Sequence, residues 1–310
     1  MDVGAAEVVH RLGGLATWSE LRRLVTRRGV RVAVEDGSVI RLSRGRYGLP
    51  ALPRAVAVAA AVGGTVSHTS AAELRRLPML TGPRRVHVTV RPHAHPPVPR
   101  GVVLHWREVS RQEAERGVTS VVRTVLDCAS TLPFAEGLAI ADSALRAGVP
   151  RDHVASAAAG FRGRGARLLR EVAAAADPRA DNPFESGLRA AVLRAGLRFT
   201  PQVLVGDARV DLADPEHEIA LEADSFAWHG GREDLERDCR RYDELVRRGW
   251  TVLRFAWEHV VLEPEWVTGV VTDVWRSRAT AGEESARRRA AERLRRASSP
   301  PPRARRGGAS

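Results

Sequence analysis

The sequence predicts a chain of mixed α/β and α+β class, built from three parts and a basic tail. Apolar residues switch repeatedly between helical and strand spacing along all 310 residues. Turn-forming residues cluster near Pro50, over 177–183 and again over 298–302. A length of 310 residues with 44% apolar content is enough for two or three separate cores.

Residues 5–12 form the first expected helix, ending at Gly13 and Gly14. Thr17 reads as the N-cap of a second helix over 18–24, with Glu20 three residues on to complete a capping box. A third helix is expected over 30–35, stopping at Asp36 and Gly37. Residues 38–42 and 46–49 then alternate as a hairpin about Ser43, Arg44 and Gly45, closed by Pro50. Three helices followed by a hairpin over 1–50 read as a winged helix-turn-helix. In its DNA-binding form the third helix enters the major groove while the wing carries cations to the backbone. Arg27, Arg28 and Arg31 on the helix side, and Arg41, Arg44 and Arg46 on the wing, suit those roles. The same fold also docks proteins, and the residues alone leave both uses open.

An α+β middle domain is expected over 51–178. Residues 66–74 read as a capped helix entry, and 86–90 and 102–106 as alternating strands. Residues 118–129 read as an N-capped helix in which Arg123 and Asp127, at i,i+4 spacing, make a structural ion pair. His87, His93, His95 and His105 lie in this stretch. His93 and His95 sit in a proline-rich loop with no acid or cysteine nearby, so the spacing does not point to a metal. Helices over 134–146 and 151–176 complete the domain, and 177–183, with Pro178 and Pro183, form a hinge.

The C-terminal part, 179–278, begins with a helix over 183–196 that has Phe184, Leu188, Val192 and Leu193 on one face and Glu185 in its first turn. Val203, Val205, Val210 and Leu212 suit a two-strand ribbon turning at Gly206 and Asp207, and 218–222 reads as its neighbour. Asp211 and Glu222 thereby come alongside each other, with Asp224 and His229 close behind. Two carboxylates side by side suit a divalent cation such as Mg2+ or Mn2+, which phosphodiester hydrolysis uses for charge neutralisation and water activation. Solvated acids at strand ends are the plainer account of the same pattern.

Glu185, Gln202, Val210 and Asp211, residues 220–224, His229, 235–245 and 249–255 resemble the PD-(D/E)xK endonuclease superfamily, and more narrowly its very-short-patch-repair-like relatives. The likeness covers about a third of the chain and is most specific over 236–257. It implies a restriction-endonuclease-like α/β domain with Asp211 and Glu222 as metal ligands, Glu185 as a supporting acid and His229 as a proton-transfer group. One departure matters. The superfamily's lysine, two residues after the acidic ligand, is here Asp224, and all 49 basic residues of the chain are arginines. A guanidinium does not deprotonate in proteins, so His229, with Asp224 beside it, is left to do any proton chemistry.

The N-terminal segment, with Gly45, Arg46, Tyr47, Gly48, Leu49 and Pro50, resembles the N-terminal domain of AbiEi antitoxins, and the middle region, through Arg123, Thr124 and Asp127, resembles AbiEi-like proteins. That resemblance implies operon repression, DNA as a partner, and a cognate toxin or phage-defence protein. Two functions follow: a metal-dependent DNA endonuclease, or a non-catalytic antitoxin-like repressor that keeps a degenerate nuclease fold.

Of the net charge of +12, half lies in residues 280–310, which hold nine arginines against three glutamates, and residues 279–310 have the composition of a disordered tail. A cytoplasmic protein with reduced thiols is the simplest expectation, from the two cysteines, Cys128 and Cys239, and from an N-terminus without a secretory pattern. No apolar run reaches the ~18 residues of a membrane span.

Overall fold

The computed structural model describes residues 4–224 and 232–297. Within these the chain is a mixed α/β protein with three small sheets. It forms two compact units, Met1–Ala190 and Ala191–Ser310. No helix among the described residues is long and apolar enough to cross a membrane.

The first unit opens with α1 (Ala5–Arg11), β1 (Leu15–Thr17), α2 (Trp18–Leu21), α3 (Arg27–Glu35), β2 (Ile40–Ser43) and β3 (Arg46–Gly48). Val8, Val9, Leu21, Val30 and Val39 make its core. The capping box forms as its sequence suggests, with Glu20 N donating to Thr17 Oγ1 at 3.3 Å and Thr17 N to Glu20 Oε2 at 2.7 Å. Two details depart from the expectation. The third helix starts at Arg27 rather than at residue 30, because Thr26 caps it by accepting from Gly29 N at 3.1 Å. Residues 15–17 also add a strand, antiparallel to β3 with Leu15 facing Gly48, and give the sheet order β1-β3-β2. Three residues are too few to show strand alternation.

The chain continues as α4 (Arg54–Val62), β4 (Thr65–Val66), α5 (His68–Leu74), β5 (Val86–Val90) and β6 (Val102–Trp106). β4 pairs antiparallel with β5 and β5 parallel with β6. Val66, Val88, Val90 and Leu104 are buried under α4 and α5. Then come α6 (Arg111–Arg116), α7 (Val121–Thr131), α8 (Phe134–Arg146), α9 (Arg151–Gly160), α10 (Ala166–Ala175) and α11 (Pro183–Arg194). The i,i+4 pair of α7 forms, with Arg123 Nε donating to the fully buried Asp127 at 2.8 Å. The single helix expected over 151–176 is instead two. Gly163 and Gly165 both adopt positive φ between them, and a Cβ on Gly165 would lie 1.9 Å from the Ser130 carbonyl oxygen, so the break is fixed by packing against α7.

A buried ion pair ties the end of this unit together. Arg189 Nη2 donates to Asp142 Oδ2 at 2.7 Å and Arg189 Nη1 to the Ala175 carbonyl at 2.7 Å, while Asp177 N donates to Asp142 Oδ1 at 2.7 Å. α8, α11 and Asp177 thus meet on one carboxylate, and the Arg189 of that pair also holds the end of α10.

The second unit holds β7 (Thr200–Val205), β8 (Ala208–Asp214), β9 (Ile219–Ala223), α12 (Arg232–Arg247), β10 (Thr251–Phe255), α13 (Trp257–Leu262) and α14 (Pro264–Ala297). The sheet order is β10-β9-β8-β7, antiparallel except for the β9–β10 pair, which α12 connects. Gly206 makes the β7–β8 turn at φ 60, where a Cβ would strike the Arg248 guanidinium. α14 is anchored by Val267 and Val271 in the core, by Trp275 Nε1 donating to Asp214 Oδ2 at 3.0 Å, and by Arg278 donating to the His217 carbonyl at 2.8 Å. It runs to Ala297, well into the segment whose composition suggests disorder. Alanine, arginine and glutamate are strong helix formers, and once α14 is docked they propagate it. Residues 298–310 lie outside the described residues.

Removing one partner of the buried pair leaves the other charge unpaired. Asp142→Ala or Arg189→Ala is expected to destabilise the protein by about 3–5 kcal/mol in chemical denaturation, whereas the double change Asp142→Leu with Arg189→Met should be far milder. Equal losses in the single and double variants would show that the pair is not what holds this junction.

Candidate active site and arginine groove

β8 alternates so that Val210 and Leu212 are buried, and β9 is buried from Ile219 to Glu222. The core fixes the register, with Leu212 facing Leu221 and Ala213 facing Ala220. One step further out, the same register sets Asp211 opposite Glu222. Asp211 Oδ2 accepts from Ala223 N at 2.8 Å, and its side chain lies within hydrogen-bonding reach of Glu222. On the other flank β7 pairs Pro201 with Leu212 and Val203 with Val210, which leaves Gln202 beside Asp211. Gln202 adopts φ 56, a strained value for a side-chain-bearing residue.

Glu222 is 3% exposed. Arg241 of α12 reaches its Oε2 at 2.9 Å, while Oε1 has no hydrogen-bond donor among the described residues. Burial and the negative charge of Asp211 push the Glu222 carboxyl up to about 7, against the opposing pull of Arg241. Arg241 is itself held in place by donating to the Arg209 carbonyl at 2.9 Å. Asp224, just past β9, is ion-paired with Arg254 of β10, whose guanidinium stacks over Tyr242 at 4.1 Å. Sequence reasoning missed both arginines. The available signal was that Arg241 and Tyr242 share a face of α12 with the buried Leu245.

Glu185 is 4% exposed in the first turn of α11, where its two oxygens accept from Asp181 N at 2.8 Å and Asn182 Nδ2 at 2.6 Å. Both of these donors are in the turn leading into its own helix. His229 lies outside the described residues. As a donor set, two carboxylates with one buried oxygen lacking a donor fit a hard divalent cation.

A second site lies in the first unit. Arg27, Arg28 and Arg31 of α3, with Arg41 and Arg44 of the β2–β3 hairpin, line one groove of about 920 Å³ floored by Trp18, Val30, Val34 and Tyr47. Arg31 has Glu35 at 3.7 Å, and the other four have no acidic partner among the described residues. Arg46, half-buried on β3, is not part of the groove lining.

Residues 184–275 match the model of a restriction-endonuclease-like family described as REase_MTES_1575. The chain is also similar to two Mycobacterium tuberculosis proteins, "Uncharacterized protein MT2308" (strain CDC 1551 / Oshkosh) and "Uncharacterized protein Rv2248" (strain ATCC 25618 / H37Rv). Each is 32% identical over 175 residues, covering 53% of this chain and 64% of the relative, so the chain spans less than two thirds of their length. Among solved structures, the catalytic domain of homing endonuclease I-Bth0305I aligns at 16% identity and a TM-score of 0.27, covering 31% of this chain and 95% of its own. The RV2827C protein of Mycobacterium tuberculosis aligns at 13% and 0.31, covering 64% and 82%.

The Glu222 carboxyl carries a pH test. A carboxyl with a higher pKa folded than unfolded favours folding below its unfolded value of about 4.3, and loses that contribution as pH rises through its folded value. Metal-free protein is expected to lose thermal stability between about pH 5 and about pH 8 more steeply than Glu222→Gln does. Parallel slopes would assign the raised value to the wrong residue. The C-terminal part of the chain is thus nuclease-like by its family match, with two acids meeting at the centre of its sheet.

Proposed function

We propose that the protein is a DNA-binding endonuclease whose C-terminal unit cleaves phosphodiesters with Mg2+ or Mn2+. The observation that carries this reading is the meeting of Asp211 and Glu222 on neighbouring strands, with one buried Glu222 oxygen lacking a donor, inside a restriction-endonuclease-like match. Asp211 and Glu222 would hold the cation, which supplies charge neutralisation and an activated water when bound. The chain's own residues do the rest. The β8–β9 register fixes the two carboxylates, and Ala223 N orients Asp211. Arg241 and Arg254 neutralise Glu222 and Asp224, which lessens their repulsion of an approaching phosphodiester. His229 is proposed to move the proton that the missing lysine would otherwise handle. Glu185 is a supporting acid in this reading.

The N-terminal segment supports DNA as substrate. Helix, strand, two helices and a hairpin, with sheet order β1-β3-β2, suit a winged helix, and the arginine groove runs between its third helix and its wing. A second reading is favoured by the two guanidiniums on the acids and by Asp224 in the lysine position. In it the C-terminal unit has lost catalysis and the protein is an antitoxin-like repressor with a cognate toxin.

Purified protein with Mg2+ or Mn2+ is expected to nick plasmid DNA. Asp211→Ala should abolish the activity and His229→Ala should slow it by roughly a hundredfold or more. Sequence-specific binding to its own promoter without cleavage in either metal would establish the repressor instead.

For DNA binding, Arg31→Ala and Arg44→Ala are each expected to weaken affinity and to lower the salt slope by about one phosphate contact. An unchanged slope in both would make the groove a protein-docking surface.

A further inference from the structure

Three histidines that are distant in sequence meet in the first unit. His68 begins α5, His87 lies in β5 and His105 in β6. His87 Nδ1 and His105 Nε2 are 3.0 Å apart, the His68 ring stacks on the His105 ring with centroids 3.5 Å apart, and one nitrogen from each ring lies within 4.8 Å of the other two. His68 is 1% exposed and adopts φ 50, a left-handed backbone that costs a non-glycine residue of order 1–3 kcal/mol and persists where the surroundings demand it. The residue stands where the chain passes from β4, through Ser67, directly into α5. Ser67 Oγ lies 2.9 Å from His68 Nδ1, so the ring can donate there and leave its Nε2 lone pair available.

We propose that His68, His87 and His105 form a binding site for a zinc-class transition-metal cation, separate from the carboxylate pair of the C-terminal unit. Three neutral imidazoles with a fourth position open is the donor set of Zn2+, and equally of Co2+ used as its probe. Between His87 and His105 only one of the facing nitrogens carries a hydrogen. A shift of the donor ring, whichever of the two it is, to its other tautomer presents both lone pairs to one ion with no net proton change. Ligation also turns the His68 ring from face-on to edge-on, a side-chain rotation. Thr89 supports the assignment of a polar site. It faces His105 across the β5–β6 pair, is 1% exposed, and its hydroxyl has no hydrogen-bond partner among the described residues.

Burial, then His87 and Arg107, hold His105 down to about 4, and burial, then His105, His87, Arg107 and Arg123, hold His68 lower still. Those guanidiniums oppose any cation as well, so affinity is expected to fall below that of a carboxylate-ringed site and to favour an anionic fourth ligand.

The test is Co2+ titration of the full chain, followed by visible absorption and calorimetry. One equivalent with tetrahedral d–d bands is expected, unaffected by Mg2+ and retained in an Asp211→Asn, Glu222→Gln double variant. His87→Gln and His105→Gln, checked for native fold by circular dichroism, should each weaken binding roughly tenfold or more, as loss of a ligand does. His93→Gln, in the proline loop, is the control and should change nothing. Absence of tetrahedral bands, or binding that survives both variants, overturns the site. Loss of Co2+ in the double acid variant alone would place the ion at the carboxylates.

Discussion

The candidate active site depends on one constraint, the register between β8 and β9. Leu212 facing Leu221 and Ala213 facing Ala220 bury four apolar side chains, and a slip of one residue would turn them all to the opposite face. The same register brings Asp211 against Glu222. Core burial therefore keeps together two acids whose charges favour separation. The cost of holding them together reappears in the raised Glu222 carboxyl.

The chain answers this acid pair with arginine alone. Arg241 comes from α12 to Glu222 and Arg254 from β10 to Asp224, so both elements that follow β9 send a cation to the acids at its end. A buried acid without such a partner would be protonated at neutral pH. Glu222 sits between those limits. The five arginines that line the groove of the first unit play a different role from these and from the buried pairs of Arg123 and Arg189. Exposed, mostly without acidic partners and gathered on one groove, they satisfy no internal charge, and their electrostatic field is directed outward.

Much of the element order was legible in the sequence because its signals are local. The Thr17 capping box, the Gly206 turn and the alternation of Val86–Val90 and Val102–Trp106 each rest on residues a few positions apart. The facing of Asp211 and Glu222 was readable for the same reason, since a short turn joins their strands. What escaped was non-local. β1 is a strand only because β3 is beside it, and the break before α10 exists because Ser130 leaves no room for a Cβ on Gly165. Arg241 reaches Glu222 only through the packing of α12, and His68 meets His87 and His105 only through the β5–β6 pairing and the placement of α5.

Arg241 has a further consequence for the second unit. Its charge is permanent at any accessible pH, so it cannot release Glu222 by losing a proton. Any ligand that takes Glu222 Oε2 must displace the guanidinium, which is anchored to the Arg209 carbonyl. Occupancy of Oε2 and the seating of the Arg241 guanidinium are then one linked equilibrium: what releases the guanidinium frees Oε2, and what takes Oε2 releases the guanidinium by the same free energy, while Oε1 stays open to a cation.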